Sequence, residues 1–315
     1  MDKLRITGGR PLNGVIEISG AKNAALPLMA ASLLTDGVLA LGNLPHVSDI
    51  ATMTELLVEL GVDISMNGNS DDASRETGGS EGRLLLLSAR NLVSRTAPYD
   101  LVRKMRASVL VLGPLLARAG HARVSMPGGC AIGLRPVDLH VAGLRQLGAE
   151  ISLRDGYIEA QAPSGLVGAN IVFPTVSVGA TANLMMAACL ARGETTITNA
   201  ACEPEIVDLA DCLGRMGANI GGAGTGRIQV VGVDQLGSAE HKVLPDRIET
   251  GTYAIAAAIT GGTLDLIGTT IDLIPTVADT LRAVGIELTV CANGVRVKPG
   301  GNRLSPVNID TRPYP

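Results

Sequence analysis

Leu60-Gly61-Val62-Asp63-Ile64 is a short phrase that the chain uses four times. It returns as Leu147-Gly148-Ala149-Glu150-Ile151, Met216-Gly217-Ala218-Asn219-Ile220 and Val284-Gly285-Ile286-Glu287-Leu288. An apolar residue, a glycine and then alternating apolar and polar positions describe the end of a helix followed by the start of a strand. Glycine takes the left-handed conformation that closes a helix at no steric cost, and β-branched residues favour the strand beyond it. Repetition on this scale decides a fold before any single motif does.

Working outward, each phrase closes a segment of one plan. A small-residue turn leads into an apolar helix, then come a glycine turn, a strand, a loop and a second, amphipathic helix. The first segment starts at Ser19-Gly20-Ala21-Lys22-Asn23 and predicts helices over 24–34 and 50–60 with a strand over 37–41. The second starts at Arg106-Ala107-Ser108 and predicts helices over 109–119 and 138–147. The third, from Val178-Gly179-Ala180-Thr181, predicts helices over 182–191 and 205–216 and a strand over 195–198. The fourth, from Thr250-Gly251-Thr252, predicts helices over 253–260 and 276–284 and a strand over 263–266.

The first helices are apolar all round and so belong inside, whereas the second helices show 3.6-residue periodicity and cover an outer face. The class is therefore α/β, built from βαβαββ repeats with buried helices and outer sheets. No unit can bury its own first helix alone. Residues 67–82 form a polar insert, read as a mobile hairpin tip. Gly221-Gly222-Ala223-Gly224-Thr225-Gly226 opens no helix, so it reads as a hairpin turn and not as a dinucleotide loop.

Composition narrows the function. A net charge of −4 and 2% aromatic residues leave little from which to build a nucleic-acid surface or a base-stacking platform. Mean hydropathy is +0.30, yet no run of eighteen apolar residues occurs, and the start carries no secretory leader pattern. Five cysteines, at 130, 189, 202, 212 and 291, include no CxxC pair and fit reduced thiols in a cytoplasmic protein without a zinc site. Expected partners are small molecules, with no nucleic acid and no membrane, and the expected state is a monomer.

One loop carries chemistry: Met126-Pro127-Gly128-Gly129-Cys130-Ala131-Ile132-Gly133-Leu134-Arg135-Pro136-Val137-Asp138, between a short strand over 122–126 and a helix. A thiol on a glycine turn fits a buried cysteine as well as a reactive one. The arginine and helix start beside it favour a lowered thiol pKa and a bound anion. Lys22 opens a helix, where a cation is unfavourable unless an anion sits there; alone, it would read as a solvated side chain. Arg106 could cap a surface or meet a ligand, and Ser177-Val178-Gly179 at a helix start forms a reasonable anion-binding turn. His140 reads as packed or capping, His46, His121 and His241 as structural, and the four other cysteines as buried fillers. Glu203 and Asp246 are weaker hypotheses for cleft electrostatics.

Read together, these stretches resemble the UDP-N-acetylglucosamine enolpyruvyl transferase family. The matching motifs are Ile18-Ser19-Gly20-Ala21-Lys22-Asn23, Met105-Arg106-Ala107-Ser108, Pro127-Gly128-Gly129-Cys130, Gly133-Leu134-Arg135-Pro136-Val137-Asp138-Leu139-His140, Val176-Ser177-Val178-Gly179-Ala180-Thr181, Glu203-Pro204-Glu205-Ile206-Val207-Asp208 and Leu244-Pro245-Asp246-Arg247. The resemblance implies two domains of three repeats each with ligands between them: 22–244 as a complete domain, and 1–21 plus 245–315 as an incomplete one, with four of six repeats present.

It also implies transfer of the enolpyruvyl group of phosphoenolpyruvate to the 3-hydroxyl of UDP-N-acetylglucosamine, with no metal or organic cofactor. Cys130 would donate the proton, and Lys22, Arg106 and Arg135 would clamp anions. Asn23 would meet the sugar, while Pro136, Val137, Asp138, Leu139, Ser177, Val178 and Gly179 would meet uridine and diphosphate. Thr175 departs from the resemblance: it stands where the family commonly has lysine, two residues before Ser177, which bears on one nucleotide contact and not on the class. The family's general-base aspartate segment would follow Pro315, so a C-terminally truncated chain is expected. A UDP-sugar-binding or inactive fragment and an enolpyruvylshikimate-phosphate synthase are the rival readings.

Overall fold

The computed structural model describes residues 3–67, 84–126, 137–301, 304–311 and 314. The chain divides into two compact units: Lys22–Leu244 carries nearly all of one, and the segments Met1–Ala21 and Pro245–Arg312 make up most of the other.

Strand β1 (Gly14–Glu17) belongs to the smaller unit, and the chain then enters the larger one through α1 (Lys22–Ala31). α1 runs on as a 3-10 turn, Ser32–Leu34, and is followed by β2 (Val38–Gly42), α2 (Ser48–Leu60), β3 (Asp63–Asn67) and β4 (Leu84–Ser88). β3 and β4 pair antiparallel with Asn67 opposite Leu84. All but the first residue of the predicted insert lies outside the described residues.

The second repeat has β5 (Thr96–Ala97), α3 (Tyr99–Val102), a 3-10 segment Arg106–Val111, and α4 (Leu112–Ala119). It continues through β6 (His121–Ser125), α5 (Asp138–Gln146), β7 (Glu150–Arg154) and β8 (Tyr157–Gln161). The third has β9 (Asn170–Val172), α6 (Val178–Ala188), β10 (Glu194–Thr198), α7 (Pro204–Arg215), β11 (Asn219–Gly221) and β12 (Arg227–Val231). β11 and β12 form the antiparallel hairpin expected around Gly222 and Gly224, both at positive φ.

Each repeat gives one four-stranded sheet with a parallel pair at one edge. The orders are β5-β6-β8-β7 and β11-β12-β10-β9 for the second and third repeats. The first repeat takes its edge strand from the far end of the unit: β13 (Ala239–Lys242) pairs parallel with β2, giving β13-β2-β4-β3. That pairing joins the last residues of the unit to its first repeat and closes the three into a ring. Inside it, α1 packs against α2 and α7, and α6 against α4, α5 and α7. α1 is buried from Ala24 to Ala31 and α6 from Ala180 to Ala188, as expected for first helices.

The smaller unit holds the fourth repeat: α8 (Arg247–Thr260), β14 (Leu264–Ile267), α9 (Pro275–Val284), β15 (Ile286–Cys291) and β16 (Gly294–Pro299). Its sheet is β1-β14-β16-β15, with β1 as the parallel edge. Its core is formed by Leu264, Leu266, Val295 and Val297 of the sheet with Ala254, Ala257 and Leu281 of the helices. Here the expectation of an interior first helix fails. Ile248, Ile255 and Ile259 of α8 are exposed, the last at 78%. A groove of about 540 Å³, lined by Ile255, Ile259, Val277, Leu281, Val284 and Ile309 among others, runs along this face.

The four closing glycines behave as the repeat predicts. Gly61, Gly148, Gly217 and Gly285 have φ of 98°, 90°, 104° and 106°, a region that favours glycine. Helix starts differ from expectation. α6 begins at Val178 and α8 at Arg247, because the small-residue turns ahead of the apolar runs are themselves helical. Ser177 caps α6 by accepting from the Ala180 amide, and Asp246 caps α8 by accepting from Ile248 and Glu249 at 2.8 and 3.0 Å.

Candidate functional site

Of the residues expected at the site, Cys130, Arg135 and Pro136 lie outside the described residues. The others described, Lys22, Asn23, Arg106, Val137, Asp138, Leu139, Ser177, Val178 and Gly179, all belong to the larger unit.

Lys22 is the first residue of α1, and its ammonium pairs with Asp49 in the first turn of α2 at 2.9 Å. The electrostatic demand for an anion at that helix start is thus met within the protein. The position of Lys22 alone therefore does not require a ligand. Its side chain remains 42% exposed, as a group that must reach a ligand requires. Asn23 beside it is exposed. Arg106 opens the 3-10 segment before α4 and is half-buried.

Arg106, the start of α5 and the start of α6 are organised about one buried residue. His140, on α5, is 5% exposed. Its Nδ1 lies 2.9 Å from Nδ2 of Asn183 on α6. The same Nδ2 donates to the Val109 carbonyl at 3.3 Å, and Asn183 Oδ1 accepts from the Gly113 amide at 2.8 Å. A side chain added at Gly179 would place its Cβ 3.4 Å from Cε1 and Nε2 of the same ring. Burial, reinforced by the positive charge of Arg106, lowers the His140 pKa to about 4, so the ring is neutral at physiological pH.

Asn183 was not legible as a site residue. Its signal was a lone amide inside the run Val178-Gly-Ala-Thr-Ala-Asn-Leu-Met-Met, where a polar side chain with no exposed face must find partners. Glu203 precedes α7 and is buried, and among the described residues its Oε2 has no hydrogen-bond partner. His241 is buried against Asp208 at 2.9 Å, in line with a structural role. Cys189 and Cys212 are buried, and burial pushes both thiols up to about 12. Cys202 and Cys291 are only partly covered, which corrects their reading as buried fillers. Among the described residues, no group of three or more His, Cys, Asp or Glu is placed to hold a metal, and no helix is long and apolar enough to cross a membrane.

Solved enolpyruvyl transferases share this architecture. The enolpyruvyl transferase NikO from Streptomyces tendae matches with a TM-score of 0.76 at 21% identity, over 95% of this chain and 68% of that one. An EPSP synthase from Acinetobacter baumannii matches with a TM-score of 0.70 at 20% identity, over 96% and 68%. The fold is therefore that of the enolpyruvyl transferases. Residues 6–315 match the model for EPSP synthase (3-phosphoshikimate 1-carboxyvinyltransferase), and the chain belongs to that family. Among curated relatives, the UDP-N-acetylglucosamine 1-carboxyvinyltransferase of Rhodospirillum centenum is 60% identical over the whole chain and 72% of its own length. The enzyme of that name from Paramagnetospirillum magneticum is 56% identical over the same shares.

Proposed function

We propose that this chain carries the activity for which those relatives are named: transfer of the enolpyruvyl group of phosphoenolpyruvate to the 3-hydroxyl of UDP-N-acetylglucosamine, with release of phosphate. The observation that carries the reading is 60% identity along the full chain to a relative of that name. The family model alone is shared with enolpyruvylshikimate-phosphate synthases, whereas relatives at 54% to 60% identity carry the carboxyvinyltransferase name. The reaction would open peptidoglycan synthesis in the cytoplasm, with the protein acting as a monomer on small molecules.

The chemistry is addition followed by elimination. The sugar hydroxyl adds to C2 of phosphoenolpyruvate while C3 gains a proton, and the tetrahedral phospholactoyl intermediate then loses phosphate. Such a path needs a proton donor near C3 and fixed cations for a carboxylate and several phosphates. Cys130 is assigned the proton, from its Pro127-Gly128-Gly129-Cys130 motif. Lys22, Arg106 and Arg135 are assigned the anions, guanidinium groups being suited to bidentate phosphate contacts. Asn23 is assigned the sugar. Pro136, Val137, Asp138, Leu139, Ser177, Val178 and Gly179 are assigned uridine and diphosphate. The last three stand at a helix start, where backbone amides and the helix dipole favour negative charge.

The test is phosphate release by the 315-residue chain supplied with both substrates. Turnover that needs both, is lost in Cys130→Ala and is blocked by fosfomycin supports the reading. Binding of UDP-N-acetylglucosamine without phosphate release supports the binding-fragment alternative, and turnover with shikimate 3-phosphate as acceptor supports the synthase.

A further inference from the structure

Val109 and Gly113 stand four residues apart and carry the carbonyl and amide that an unbroken α-helix would join. The chain changes its winding between them. The 3-10 segment Arg106–Val111 passes into α4 at Leu112, whose amide takes the Val109 carbonyl in the tighter three-residue pattern. The four-residue partners are each met by one end of a side chain from another helix. Asn183 Oδ1 accepts from the Gly113 amide at 2.8 Å, and Asn183 Nδ2 donates to the Val109 carbonyl at 3.3 Å.

An amide N–H can only donate and a carbonyl can only accept, so these two contacts fix which way the Asn183 side chain faces. Its second N–H then meets His140 Nδ1 on α5, at 2.9 Å, and the ring accepts it. Asn183 is fully buried. A polar side chain inside an apolar helix is tolerated when its bonds are made, and here the oxygen and both N–H groups are engaged. Gly113 supplies the room, since a Cβ there would run into Asn183 Oδ1.

The joint matters for what lies on either side of it. Arg106 opens the 3-10 segment, and Asp138 and Leu139 open α5. A side chain inserted into a helix ladder sets the local winding. If Val109 and Gly113 bonded to each other instead, the segment would relax from about 3.0 towards about 3.6 residues per turn. Over the three residues from Val109 back to Arg106, that change swings Arg106 by roughly 60° about the segment axis.

We propose that Asn183 is a positioning residue: it holds the Arg106 turn in 3-10 winding and, through His140, ties that turn to the start of α5. The inference rests on the reading above, in which Arg106 and residues 137–139 meet the substrate. Asn183, being fully buried, acts only through them.

Two variants reach the joint from opposite sides. Asn183→Asp keeps the shape and the acceptor for Gly113 but turns an oxygen on the Val109 carbonyl, while Gly113→Ala keeps Asn183 and crowds it. Each is made in the unsubstituted chain and in Arg106→Ala, and binding of UDP-N-acetylglucosamine is measured by calorimetry. Alone, Asn183→Asp should weaken binding about 10-fold and Gly113→Ala about 3-fold. In the Arg106→Ala background each loss should shrink to about 2-fold or less, because the side chain that the change misplaces is gone. A loss of packing alone acts equally in both backgrounds. Nitrogen NMR of His140 gives an independent reading. The ring proton should sit on Nε2 in the unsubstituted chain and move to Nδ1 in Asn183→Asp, whose carboxylate only accepts.

Equal losses with and without Arg106 overturn the proposal, as does unchanged affinity in Asn183→Asp or a His140 proton on Nδ1 in the unsubstituted chain. Should Asn183→Asp fail to fold, Gly113→Ala and the unsubstituted ring decide by the same criteria. An unsubstituted chain that does not bind UDP-N-acetylglucosamine removes the reading and the positioning role together. Binding and coupling as expected, with no phosphate released from the two substrates, leave Asn183 its role while the proposed activity falls.

Discussion

The first helices of the third and fourth repeats start from the same kind of sequence and meet different fates. α6 is enclosed from Ala180 to Ala188, whereas α8 buries Thr250, Gly251, Ala254, Ala257 and Ala258 and leaves Ile248, Ile255 and Ile259 in the open. Both helices lie on a four-stranded sheet of the same pattern. The difference is the neighbourhood: α6 has α4, α5 and α7 around it, in a unit that β13 closes by returning to β2. α8 packs on its own sheet and on α9. An apolar repeat helix is therefore only a potential core, and three repeats closed on each other make it an actual one.

The largest effect should separate the two units by truncation of a single side chain. Leu28→Ala, at a fully buried position of α1, should cost roughly 2–5 kcal/mol, because it leaves a cavity that packed neighbours cannot fill. Ile259→Ala, at 78% exposure, should stay within about 0.5 kcal/mol. Urea unfolding of both variants checks the pair, and equal losses would break the comparison.

Acid should weaken the closed unit through His140. A histidine held at about 4 when folded, against about 6.5 when unfolded, leaves the native state with fewer bound protons between those values. Its contribution is therefore complete above pH 6.5 and lost as pH falls towards 4, by on the order of 3 kcal/mol. Unfolding curves across that range for the unsubstituted chain and His140→Asn isolate the term: the variant should show a shallower decline.

Glycine substitutions give a smaller effect of opposite sign in the two units. At Gly113 an added Cβ would meet the Asn183 backbone oxygen at 2.5 Å, so Gly113→Ala should cost about 1–3 kcal/mol. At Gly251 the nearest atom would be Val277 Cγ1 at 3.8 Å, and Gly251→Ala should gain up to about 1 kcal/mol from helix propensity. Thermal melting distinguishes them. The mildest contrast is among thiols: Cys189 and Cys212, buried and held as thiols by burial, should resist alkylation in the native state until the chain is unfolded. Mass spectrometry of the labelled protein reads this directly.

The repeat was legible because its punctuation is local. A glycine that must take positive φ, with an apolar residue before it and a strand after it, announces itself at Gly61, Gly148, Gly217 and Gly285. Helix starts were less legible, since Ser177 and Asp246 are polar residues that serve turns and caps alike until their hydrogen bonds are known. The exposure of α8 could not be read at all from its own residues, because burial is a property of what surrounds a helix. In the candidate site, Lys22 was read from charge, but its partner Asp49 lies in another helix and sequence spacing does not reveal it. His140 was read as packed, and packed it is, but its orientation depends on Asn183, forty-three positions away.

The most direct measurement is amide hydrogen exchange of the whole chain with and without saturating UDP-N-acetylglucosamine. Without ligand, α1 and α6 should exchange only through global unfolding and α8 through smaller openings. With ligand, added protection should fall on residues 106, 137–140 and 177–180 and leave α8 and α9 unchanged. Protection concentrated on α8 and α9, or equal protection of α6 and α8 before any ligand is added, would contradict the account.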